Sequence, residues 1–214
     1  MAALSDSGTA ADAVDEETDV AFMRLAVSEA HEAMAAGEVP VGCVFVDRVS
    51  GAILARGGNR TNLLRNGTRH CEMVAMDALL KLHGPEAFPR SRLYVTLEPC
   101  IMCAGALLQL GVGEVVFGAL NTRFGGCGGV YSVQEMCTCG KSTAQGDAPR
   151  GAMRGFQCRG GILSDEIVEL LRDFYATGNP NAPEEKRHRP LQREDAGDGA
   201  TVTASVRPLP NGRG

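Results

Sequence analysis

The chain has 214 residues, 44% hydrophobic and 22% charged with no Trp, which fits one globular domain around an aliphatic core. Its formal net charge is -5, and six of the 26 acids (Asp6, Asp12, Asp15, Glu16, Glu17, Asp19) fall in residues 1–20, where no Lys or Arg occurs, so the rest is near neutral. A broad basic surface of the kind that grips nucleic acid unaided is thereby excluded; a local patch or a partner would have to supply that charge.

Residues 1–18 are small, polar and acidic and are expected to be disordered, with a folded domain over 19–178. From Asp19 the pattern turns helical, with Met23, Ala26, Val27, Ala30 and Met34 on one face and Gly37 as the stop. Val41–Asp47 and Ala52–Gly58 read as two strands joined by the Ser50-Gly51 turn, a hairpin. A polar loop, Asn59–Thr68, leads into a second helix. Arg92–Glu98 is a third strand, Pro99 is expected at the first position of a third helix that ends near Leu110, and Gly113–Ala119 is a fourth strand. Residues 132–155 look like a surface insertion. A last strand follows near Cys158, then a helix capped by Ser164 with Ile167, Leu170, Leu171 and Phe174 facing the core. From Asn179 onward Pro, Gly and charge dominate, so 179–214 is expected to be a disordered tail. Strands alternating with helices imply a layered α/β domain with a partly parallel sheet.

The N-terminus lacks the basic and apolar regions of a secretory signal and the Arg-rich character of a transit peptide. No stretch reads as a membrane span. A non-secreted protein, cytoplasmic or nuclear, is expected. In that setting eight cysteines (43, 71, 100, 103, 127, 137, 139 and 158) point to metal binding or buried thiols before a disulfide framework.

Two motifs carry the chemistry. In Pro99-Cys100-Ile101-Met102-Cys103 the two sulfurs are three residues apart at a helix start, where the positive helix end favours thiolates, the ligands zinc needs. Taken alone the pair could equally be a redox couple or packed thiols. The other motif is His70-Cys71-Glu72, also at a helix start, and H-x-E followed by P-C-x-x-C is the pattern of the zinc nucleobase deaminases. His70, Cys100 and Cys103 are then the zinc ligands. Three protein ligands leave one position open for water, the mark of a catalytic site, and Glu72 beside the ion is the proton carrier. Positions 71, 74, 75, 78 and 79 form an apolar helical stripe, so Cys71 reads as a core thiol. Residues i and i+2 point about 200° apart on a helix, so His70 and Glu72 converge only if His70 lies at the cap.

The segments "EVPVGCVFV", "TRHCEMVAMDAL", "LYVTLEPCIMCAGAL", "VVFGALNTRFGGCGGV" and "GNPNAP" together resemble the catalytic subunit of the eukaryotic tRNA wobble-adenosine deaminases, over roughly Ala21–Pro183. The resemblance implies a three-layer α/β/α cytidine deaminase-like fold with a mixed five-stranded sheet. It implies zinc-dependent conversion of adenosine to inosine at the first anticodon position of tRNA. It also implies a heterodimer with a related subunit that has lost its catalytic glutamate. On the same basis Asn59 and Asn121 match substrate-contacting positions, and Lys186, Arg187 and Arg189 match a tail that touches tRNA. The middle residue of H-x-E is usually small and apolar in this family, and here it is Cys71. Cys137 and Cys139 sit in the expected insertion, where a second metal site is conceivable but no further ligands group nearby. The rival readings are a deaminase of free nucleotides or cytosine-type bases, a zinc-stabilised scaffold without chemistry, and a thiol-redox protein.

Overall fold

A computed structural model describes residues 15–136 and 155–176. Nine elements follow in order: α1 (Glu16–Ala35), β1 (Gly42–Asp47), β2 (Ile53–Gly58), α2 (Cys71–His83), β3 (Ser91–Leu97), α3 (Ile101–Leu110), β4 (Glu114–Ala119), β5 (Gln157–Gly160) and α4 (Ser164–Ala176). The sheet order is β2-β1-β3-β4-β5. β1 runs antiparallel to both β2 and β3, while β3, β4 and β5 are parallel, which gives the mixed five-stranded sheet expected from the resemblance.

Strand alternation sorts the core onto two faces. Cys43, Phe45, Leu93, Val95, Val115 and Phe117 pack with residues of α2 and α3. Val44, Val46, Tyr94 and Val116 pack with Met23, Ala26 and Val27 of α1 and with Ile167 of α4. The result is three layers, helix pair, sheet, helix pair, with both sheet faces covered. The parallel strands β3 and β4, and β2 with them, end at one edge, and the loops that leave that edge, with the first turns of α2 and α3 that follow them, carry every sequence-predicted site residue among the described residues.

Several boundaries differ from expectation, each for a local reason. The first helix begins at Glu16, so residues 16–18 belong to it and not to a disordered arm. Asp15 caps it by accepting from the Thr18 N–H at 2.7 Å, and Glu16, Glu17 and Asp19 favour the positive helix end. Pro99 lies two residues before the start of α3, because Cys100 keeps an extended backbone and bridges to Gly125, while the Pro99 carbonyl accepts from Gly126. Ser164 is the first residue of α4 and not its cap; it follows Leu163, which has a left-handed φ of 57°. The expected insertion does not start as surface: Val133 and Gln134 are buried, and the Phe156 N–H returns to the Gln134 carbonyl. Residues 137–154, with Cys137 and Cys139, and the tail with Lys186, Arg187 and Arg189 lie outside the described residues.

A buried polar network ties the layers together away from the helix starts. Asp19 on α1 accepts from the Tyr94 hydroxyl (2.8 Å) and from both terminal nitrogens of Arg159 on β5 (2.6 and 2.8 Å). Arg159 also reaches Glu114, whose other oxygen takes Arg92 at 2.6 Å. Removing Asp19 leaves the buried Tyr94 hydroxyl without its carboxylate acceptor and Arg159 with Glu114 alone. Asp19→Ala should therefore lower unfolding stability by about 2–3 kcal/mol, read as a lower urea midpoint at unchanged slope.

Candidate active site

Two helices aim their N-termini at one point, and in each the N-cap residue is a prospective metal ligand. His70 caps α2 and Cys100 caps α3, both with extended backbones (φ -66, ψ 158 and φ -68, ψ 167), and neither side chain makes a capping hydrogen bond. Cap side chains ordinarily satisfy a free backbone N–H of the first turn. In each helix the N1 amide, which a cap side chain does not reach, is bound from outside. The Asn59 Oδ1 accepts from the Cys71 N–H at 2.9 Å, and the Phe124 carbonyl accepts from the Ile101 N–H at 3.0 Å. The imidazole and the thiol make no capping bond and face one another instead.

His70 Nδ1 lies 3.5 Å from Cys100 Sγ and 3.6 Å from Cys103 Sγ, and the three ligand atoms are all within 4.8 Å of one another. One nitrogen and two sulfurs converging from two helix starts suit zinc. The protonation pattern agrees. A hydrogen bond from Cys103, with the His70 ring beside it, draws the Cys100 thiol down to about 4 against the opposing push of burial. Its bond to Cys100 and its burial push the Cys103 thiol far up. Contact with Cys100 also raises His70, with burial opposing.

Glu72, one residue into α2, is 3% exposed and lines the same cavity, yet is outside the ligand group. Burial pushes its carboxyl above the usual carboxylate range, partly offset by its own backbone N–H and the Cys71 thiol. Cys71 is fully buried in the core with Ala75 and Leu79, as its helical stripe predicts, and is not among the metal-binding group. The cap position of His70 resolves the apparent opposition of residues 70 and 72.

The cavity holds about 520 Å³, a common size for a small-molecule site. Its walls are mostly apolar: Val39, Val41, Leu97, Ile101, Phe124 and Tyr175 among them, with Asn59 and Asn121 as polar contributors. Asn59 is 9% exposed and doubly engaged, since its Nδ2 donates to the Val39 carbonyl at 3.2 Å. Asn121 Oδ1 accepts from the Phe124 and Arg123 N–H groups at 3.0 and 3.3 Å, so it shapes its own loop.

Two residues of the quoted segments had been given no role by sequence: Glu38 and Glu98, each 1% exposed. Glu98 accepts from the backbone N–H groups of Asn121, Cys127 and Gly129, all at 2.9 Å, and so gathers the loop after β4 around itself. That loop must be glycine-rich. A Cβ at Gly125 would fall 2.5 Å from Glu98 Oε2, and one at Gly129 would collide with the same oxygen. Glu38 does the same for the loop after β2, accepting from the Leu63 and Asn62 N–H groups and the Thr61 hydroxyl at 2.8 to 3.0 Å. Burial would raise its pKa, but the Leu63 and Asn62 N–H groups outweigh it and hold the carboxyl below its ordinary value. Nothing in the neighbouring sequence marked either acid, because the loop each one holds lies more than twenty residues further on.

The sequence pattern of the cytidine and deoxycytidylate deaminase zinc-binding region matches residues 16–119. The chain is 40% identical over 171 residues to tRNA-specific adenosine deaminase 2 of Xenopus laevis, a match covering 77% of this chain and 90% of that protein. The chain belongs to the zinc-binding tRNA-specific adenosine deaminases. It is also 38% identical over 175 residues to the tRNA-specific adenosine deaminase subunit tad2 of Schizosaccharomyces pombe, covering 81% of this deaminase and 42% of that protein. A solved structure from a study of A-to-I editing by tRNA:A34 deaminases at the wobble position of transfer RNA superposes with a TM-score of 0.59 at 31% identity. It covers 70% of this chain and 98% of that one. Zinc is accordingly the metal of this deaminase, and the donor set found here fits it.

Because the site must lose protons to take up the ion, loading should release the proton held by Cys103. Since the His70 pKa is raised, protons compete for its nitrogen up to a higher pH than for an ordinary imidazole. Zinc affinity should therefore fall as pH drops through that raised value, which titration of the metal-free protein with zinc at several pH values measures. Cys103→Ser should lose zinc; full zinc occupancy in that variant would remove Cys103 from the ligand set.

Proposed function

We propose that this chain converts adenosine to inosine at the first anticodon position of tRNA, as the catalytic subunit of a heterodimer whose other subunit is a related deaminase lacking the catalytic glutamate. The observation that carries the reading is a buried carboxylate, Glu72, set beside a His/Cys/Cys ligand group but outside it, at a mostly apolar cavity sized for a nucleoside. The names of the relatives supply the rest: adenosine and tRNA in both, and the word subunit in the fission yeast protein. A cytoplasmic or nuclear site of action goes with this reading.

His70, Cys100 and Cys103 would hold zinc, which would supply hydroxide from water near neutral pH. Glu72 takes one proton of the attacking water and delivers it to the ring nitrogen as oxygen adds at C6. It then carries the remaining proton from the new C6 hydroxyl to the exocyclic amine, the C6–N bond breaks, ammonia leaves, and C6 keeps its oxygen as a carbonyl. A carboxyl raised by burial suits both tasks, since it holds and yields a proton nearer to neutrality than an exposed one. Asn59 keeps one amide hydrogen after bonding the Val39 carbonyl, and in this reading it donates that hydrogen to a nucleoside oxygen. Asn121 lines the cavity with its Nδ2 available for the flanking nucleotide. The apolar walls favour a base withdrawn from its stack. Phosphate contacts fall to the partner subunit and to the tail bearing Lys186, Arg187 and Arg189.

The test is to purify the chain together with its partner subunit, load zinc, and assay inosine in unmodified tRNA. Inosine at the first anticodon position is expected. Turnover of free dCMP or cytosine with none of tRNA would overturn the proposal. Glu72→Ala should keep its zinc and lose at least about a hundredfold in rate, the usual lower bound for a positioned acid–base group.

A further inference from the structure

We infer that Cys71 is a positioning residue for Glu72: its thiol donates a hydrogen bond to Glu72 Oε2 and so fixes the orientation of the carboxylate. The inference rests on the proton-carrying role proposed for Glu72 and concerns a residue otherwise assigned only to packing.

The two side chains sit on consecutive residues of the first turn of α2, with Sγ 3.1 Å from Oε2, well within reach for a sulfur donor. Cys71 is 0% and Glu72 3% exposed, so bulk water does not compete for the contact. Cys71 itself is held from several sides. Its N–H is bound by Asn59 Oδ1, and its carbonyl faces β2 so closely that a Cβ at Gly57 would come within 2.7 Å of it. Its sulfur lies in the core cluster that also contains Cys43 and Ala75. A donor anchored in this way is a fixed reference point, whereas a glutamate has three side-chain torsions to restrain. The metal does not need this sulfur, because the ligand group is complete with His70, Cys100 and Cys103. An alanine at position 71 would fill part of the space but offer no donor.

Packing and positioning predict opposite orders for two substitutions. If Cys71 only fills the core, serine, which brings a hydroxyl into an apolar site, should be no better than alanine. If it positions Glu72, serine keeps a donor and should be better.

The experiment uses the zinc-loaded chain with its partner subunit. Cys71→Ala should retain zinc and the KM for tRNA within about twofold, while kcat falls about five- to tenfold, the effect of one lost hydrogen bond of ordinary strength, as suits a weak thiol donor. Cys71→Ser should recover most of that loss. Equal kcat for wild type and Cys71→Ala, or serine no better than alanine, overturns the inference.

An infrared measurement without substrate separates this outcome from failure of the proposed activity. The S–H stretching band that disappears in Cys71→Ala should lie below the position of an unbonded thiol and move up in Glu72→Ala. A band at the unbonded position, or one unmoved in Glu72→Ala, overturns the inference even if inosine forms. A shifted band in an enzyme that makes no inosine keeps the hydrogen bond and sinks only the activity.

Discussion

The site depends on two helix caps whose side chains have been diverted. His70 and Cys100 occupy cap positions without making a cap hydrogen bond, and the N1 amide of each helix is bound by another part of the chain. The arrangement has two effects. It brings an imidazole and two thiols to one point, with both helix dipoles directed there, which favours the thiolate form that a zinc ion requires. It also makes the ligand geometry conditional on Asn59 and on the carbonyl of Phe124, groups some way from the ligands in sequence. Asn59 is thus part of the support of the site before it contacts any substrate.

That dependence extends to the loops that bring these groups in. Asn59 is followed by a loop clamped on Glu38, and Phe124 lies in a loop clamped on Glu98. A buried carboxylate that accepts several backbone N–H groups is well satisfied and substitutes for the sheet or helix partners such loops lack. The two acids occupy equivalent places, one just before β1 and one just after β3, at the edge where the cavity opens. Loops that would otherwise be mobile become walls with fixed positions. This matters for a reaction that needs a carboxylate, a metal site and a base aligned to within fractions of an ångström.

The parts that were legible in the sequence are those governed by short spacing. The P-C-x-x-C run, the apolar stripe that assigns Cys71 to the core, and the geometric demand that His70 be a cap all follow from residues within one helical turn, and the structure agrees with each. What the sequence concealed is set by contacts across long separations. Pro99 was displaced from the helix because Gly125 and Gly126 claim the neighbouring backbone, and Val133 and Gln134 are buried because Phe156 returns to meet them. Glu38 and Glu98 look like ordinary surface acids until the loops that wrap them are seen. Asp19 likewise ends a run of acids that reads as solvated, yet it is buried because Arg159, 140 residues on, reaches across to it.

The division between chemistry and grip follows from the same features. Everything needed to transform a base, metal ligands, proton carrier and apolar walls, is gathered in one cavity of one chain. Affinity for a polyanion has a different source, the release of counterions by Lys and Arg at phosphates, and this chain carries a formal charge of -5. An amine inside a base stack is out of reach of a metal site set in a cleft, so the target base must leave its neighbours before it can react. That cost is lowest where the strand is already unpaired. A site of this kind therefore favours a loop over a duplex on energetic grounds alone, while the choice of loop has to be made by surfaces beyond the cavity.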